Sequence, residues 1–63
     1  MKGTVKFFNK TKGFGFIISD EDEKEYFVHF SDILDDAEIV DGDIVEFEVV
    51  TGDRGPKASK VTK

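Results

Sequence analysis

The sequence predicts a small all-β barrel or sandwich, on three observations. Apolar residues alternate with polar ones instead of recurring every three or four positions. Glycine or acidic clusters interrupt that alternation about every ten residues. No segment of helical periodicity is long enough to build on. The chain has 63 residues, so it forms one domain, spanning residues 1–63. A domain this small buries roughly 60% of its unfolded surface, which leaves one small core and no deep cleft.

The elements follow in order. "KGTVKFFN" gives a first strand over about Lys2–Asn9, in which the consecutive Phe7 and Phe8 must split, one to each face. "GFGFIIS" gives a second over about Gly13–Ser19, and "DEDEK" at 20–24 is a charged hairpin turn. The third strand runs over about Glu25–Phe30. "SDILDDAEIVDG" at 31–42 is the one long connection, opening with a single helical turn capped by Ser31. Asp41-Gly42 signals a turn into the fourth strand, about Asp43–Thr51. "GDRG" at 52–55 turns the chain again, and Pro56 can begin or edge the last strand, about Lys57–Thr62.

Alternation then assigns faces. In the fourth strand Val45, Phe47 and Val49 share the inner side, with Glu46 and Glu48 outside. In the third, histidine is easier to leave wet than valine, so Phe27 goes outside with His29. The second strand is ambiguous on alternation alone. Turning Phe14 and Phe16 inward would expose Gly15 and Ile17 and crowd the core with rings. The best accounting puts Val5, Phe8, Ile17, Val28, Ile33, Val45, Phe47, Val49 and Val61 in the core. Tyr26 goes inward if its hydroxyl finds a partner. Phe7, Phe14, Phe16, Phe27 and Phe30 are then outside, on adjacent strands.

Composition narrows the function. There is no cysteine, which excludes disulfides and thiolate metal sites and suits a reducing cytosol. No apolar run approaches the roughly 20 residues of a membrane span, and the N-terminus lacks an apolar signal core. The expectation is a soluble, cytoplasmic, monomeric protein. His29 is the only histidine, so a metal-ligand set is not expected, and no nucleophile accompanies the nearby Asp32. No cofactor, metal or catalytic residue is assigned.

The net charge is −5, but it is unevenly spread. Residues 1–18 hold Lys2, Lys6, Lys10 and Lys12 and no acid, while thirteen acids and one lysine fall in 19–48. Residues 49–63 set Asp53 against Arg54, Lys57, Lys60 and Lys63. If the two ends meet in space, one face is positive on an acidic molecule.

An exposed patch of four or five rings marks a binding surface. Unpaired bases suit it, since every base has a flat face that stacks on a ring, and Lys6, Lys10, Lys12 and Arg54 would border it and meet phosphates. The alternatives are a protein-interaction module using the same aromatic patch and a saccharide-binding barrel. A basic border argues against a neutral sugar.

"KGFGFI" at 12–17 followed by "YFVHFS" at 26–31 resembles the paired ribonucleoprotein-type motifs of the cold-shock domain. "GTVKFFN" at 3–9 and "GDRGPKA" at 52–58 resemble that family's first strand and last turn. The resemblance covers nearly the whole chain. It implies a five-stranded, partly open antiparallel Greek-key barrel of the OB-fold type that binds single-stranded RNA and DNA. By position, Phe14 and Phe16 would be stacking rings of the second strand, and Phe27, His29 and Phe30 those of the third. Lys6 and Lys12 would contact the backbone or base edges, and Arg54 would reach from the last turn. Phe7 stands where the family usually has tryptophan, which implies a weaker stack. The 31–42 connection is shorter than the family's and lacks its usual aromatic. The function expected is an ATP-independent RNA chaperone, not an enzyme.

Overall fold

The computed structural model describes residues 1–34, 38–53 and 55–63. Five strands follow in order: β1 (Lys2–Asn9), β2 (Phe14–Ser19), β3 (Glu25–His29), β4 (Ile44–Gly52) and β5 (Gly55–Thr62). They close a barrel in the order β1-β2-β3-β5-β4, with β4 returning to β1. This is the five-stranded Greek-key barrel expected from the sequence. Four of its pairings are antiparallel. The fifth, β3 with β5, is parallel and rests on the single register pair Phe27↔Lys57. That short seam closes the sheet instead of leaving it partly open, and closure removes unpaired strand edges.

Val5, Ile17, Val28, Val45, Phe47 and Val61 are buried as expected, and Phe8 and Ile33 pack against them while partly buried. Tyr26 joins the core, 7% exposed, its ring 5.8 Å from that of Phe47. Its hydroxyl donates to Asp22 Oδ2 at 2.8 Å, which supplies the partner that a buried phenol requires. Val49 is the correction. It and its neighbour Val50 are both exposed, 38% and 39%, because only the small Ala58 stands opposite Val49 in β5 and leaves the larger side chain uncovered. Ile39, from the long connection, and Ala58, from β5, are buried instead.

Two local irregularities aim the strands. The β1–β2 register shifts between Val5 and Phe7, so Lys6 is an extra residue in β1. Such a bulge lets Val5 and Phe8, three apart, both face inward, with Lys6 and Phe7 outside. The turn after β3 begins two residues earlier than expected: a 3₁₀ turn spans Phe30–Asp32. Its cap is His29 and not Ser31, because the His29 ring Nδ1 accepts from the Ser31 amide at 3.3 Å.

Candidate nucleic-acid interface

Register builds the aromatic surface. Phe7 pairs with Phe16 across β1–β2, and Phe16 pairs with Phe27 across β2–β3, so Phe16 sits between two rings. The Phe7–Phe16 centroids are 5.5 Å apart and those of Phe16–Phe27 5.9 Å. Phe14 completes the group, 5.8 Å from Phe27 and 6.5 Å from Phe7. All four rings are half-buried. The intervening residues Gly15, Ile17 and Val28 are buried. Each ring thus has one side supported by its neighbours and one side toward solvent. Aromatic pairs of this geometry contribute about 0.5–1.5 kcal/mol beyond area burial, which holds the rings in place without any ligand.

Gly15 explains the phenylalanine-glycine-phenylalanine spacing. A Cβ there would strike the carbonyl oxygen of Phe7 and come within 2.8 Å of the Phe8 Cα. The inner side of β2 opposite the rings is already filled by the β1 backbone, so only glycine fits between the two phenylalanines.

His29 and Phe30 form a second unit, with centroids 4.6 Å apart. Phe30 is 61% exposed and belongs to the 3₁₀ turn, not to β3. Its amide donates to the Gly13 carbonyl at 2.8 Å, and its ring lies over Gly13, 2.7 Å from where a Cβ would stand. Gly13 also has φ +77°, so its lack of a side chain serves both the turn and the ring above it. The aromatic surface therefore consists of a four-ring group and a separate pair. His29 is in register with Phe14 and links the two through the backbone.

Shallow hollows flank these rings. One is lined by Phe8, Lys12, Gly13, Phe30, Ile33 and Ile39, and the other by Phe16, Glu25, Phe27, Pro56 and Lys57.

The charges are arranged differently from the expected basic face. Lys6 pairs with Glu25 at 2.8 Å, Lys10 with Glu38 at 3.8 Å, and Lys57 with Asp32 at 3.3 Å. Lys2, Lys60 and Lys63 likewise pair with Glu46, Glu48 and Asp43. The basic ends interleave with the acidic middle because folding lays β1 and β5 against β4. Lys12, at the β1–β2 turn, is exposed and has no carboxylate partner among the described residues. Arg54 lies outside the described residues, as do 35–37 in the long connection. Asp22 is held below the usual carboxylate range, first by the Lys24 amide and then by the Tyr26 hydroxyl. The same contact raises the Tyr26 phenol. Among the described residues, no three metal-ligating side chains converge.

Glu25 and Asp32 escape sequence reasoning. Along the chain both belong to a solvated acidic stretch, and only the fold sets them against lysines near the rings.

The 'Cold-shock' DNA-binding domain pattern matches residues 1–63. The chain is 56% identical to cold shock protein CspA of Staphylococcus aureus (strain USA300) over 64 residues, covering 98% of this chain and 96% of the relative. The protein of the same name from Staphylococcus haemolyticus (strain JCSC1435) is 56% identical over the same shares. That of Staphylococcus saprophyticus is 55% identical, again over 98% and 96%.

Proposed function

The chain belongs to the cold-shock domain family, a nucleic-acid-binding family, and from that premise we propose that it binds single-stranded RNA and DNA with weak sequence preference. The observation that carries the reading is the group formed by Phe7, Phe14, Phe16 and Phe27. Four rings held in mutual contact on three neighbouring strands, with the core complete behind them, offer stacking faces at little ordering cost. His29 and Phe30 extend the surface. Lys12 and Lys6 meet phosphates at its border, Lys6 by leaving Glu25. Arg54 is assigned to the same role on the family resemblance alone.

A protein that binds only the open form of an RNA shifts its folding equilibrium toward that form. No ATP is needed, and no bond is made or broken. We therefore assign an RNA chaperone activity, exercised by a monomer in the cytoplasm.

The test is an anisotropy titration with labelled oligothymidine, run beside the same strand annealed to its complement, at several salt concentrations. The single strand should bind much better, because bases in a duplex are already stacked. Its affinity should fall as salt rises. Equal affinity for both forms would assign the interaction to phosphate charge alone. Failure to bind the strand would leave the rings as an anchor for a protein partner.

A further inference from the structure

We propose that Asp32 is a built-in competitor for nucleic acid: it holds the Lys57 ammonium back from the aromatic surface and weakens its hold on phosphate. This rests on the reading that the surface binds single strands.

Lys57 is placed to take part. It is the β5 residue in register with Phe27, at the one pair that closes β3 on β5. It lines the hollow beside Phe16 and Phe27. Its stem passes over Gly52, where an added Cβ would lie 3.3 Å from the Lys57 Cδ. A strand whose bases rest on Phe16 and Phe27 carries its phosphates past this hollow. The ammonium, however, lies 3.3 Å from Asp32 Oδ2.

This pair differs from the others on the surface. The Asp32 side chain is 16% exposed and that of Lys57 36%, the lowest values for either sign among the ion pairs of the described residues. A partly buried pair is screened less by salt than an exposed one. Asp32 is also short, and it sits in the 3₁₀ turn that directly follows His29, so its carboxylate has little freedom to withdraw. Binding a phosphate at Lys57 then means exchanging one anion for another and leaving a carboxylate without its partner. The exchange lowers affinity and releases fewer counterions than an unpaired lysine would. A chaperone gains from such a restraint, since its ligand must also leave.

Titrating labelled oligothymidine with wild type, Asp32→Asn, Lys57→Gln and the double variant tests this. Asp32→Asn should bind about two- to fivefold tighter at low salt. Its plot of log affinity against log salt should steepen by up to about 0.7, the slope of one further neutralised phosphate. Lys57→Gln should bind more weakly than wild type, and adding Asp32→Asn to it should restore nothing. Thermal melts of each variant report folding, and Asp32→Ser gives the same expected gain should Asp32→Asn unfold. Unchanged or weaker binding by the folded Asp32 variant overturns the proposal. So does a gain of equal size in the Lys57→Gln background, which would be a general charge effect. Wild type that fails to bind at all removes the reading of the aromatic surface itself, a result distinct from either.

Discussion

The rings of Phe14 and Phe27 lie face to face on neighbouring strands, 5.8 Å apart with planes 23° from parallel. The residues are not opposite one another in the ladder, where Phe14 faces His29 and Phe16 faces Phe27. The contact is diagonal, and long rings can make it where short side chains cannot. Stability should therefore be coupled between them. Phe14→Ala and Phe27→Ala, measured singly and together by denaturant unfolding, should miss additivity by about 0.5–1.5 kcal/mol. Additive losses would mean that the rings do not support each other.

Gly15 makes a stronger demand on the fold than any residue of the ring group. Gly15→Ala should drive β1 and β2 apart, since the added methyl meets the Phe7 carbonyl oxygen and the Phe8 backbone. Overpacking of this kind costs about 1–3 kcal/mol or more. A domain of this length has only about 3–5 kcal/mol to lose. Urea unfolding of Gly15→Ala should find a large part of that stability lost, and a variant as stable as wild type would contradict the close packing of Gly15 on β1.

Strand limits are legible in the sequence because alternation and glycine spacing act locally, and the outward rings of β2 are legible only from what turning them inward would expose and crowd. Alternation places Lys2–Asn9 to the residue but leaves barrel and sandwich open, and the resemblance to the cold-shock domain is what implies the barrel. What escapes depends on how distant segments meet. Val49 obeys the alternation of Val45 and Phe47, yet it is 38% exposed, because the residue opposite it in β5 is the small Ala58. Ile39 lies in an acid-rich connection, and nothing nearby in sequence marks it as the residue that reaches the core. The bulge at Lys6 leaves only an indirect trace, the adjacent Phe7 and Phe8 that cannot share a face. Charge misleads most. A linear map separates basic ends from an acidic middle, whereas the fold pairs Lys2, Lys60 and Lys63 with Glu46, Glu48 and Asp43. The outer rings are adjacent through cross-strand register, whereas the pairing of Lys6 with Glu25 and of Lys57 with Asp32 joins residues far apart in the chain.

Asp22 should make folding sensitive to acid. Its carboxylate accepts from the Lys24 amide and the Tyr26 hydroxyl, and its folded-state pKa is depressed. The stabilisation is therefore present above the unfolded carboxylate value of about 4 and is lost as pH falls through and below it. Thermal melts across that range should decline less steeply for Asp22→Asn than for wild type. Parallel curves would show that Asp22 titrates alike in the folded and unfolded chain.

The outer phenylalanines form a surface and not the core, and comparing Phe16→Ala with Phe47→Ala distinguishes the two roles. Phe16 lies at the middle of the ring group, half-buried, whereas Phe47 is 2% exposed within the core. Phe16→Ala should stay folded and lose about 1–3 kcal/mol of oligothymidine affinity, one base stack. Phe47→Ala should lose about 3–5 kcal/mol of stability and unfold. Wild-type affinity in Phe16→Ala, or unfolding as complete as that of Phe47→Ala, would contradict the account.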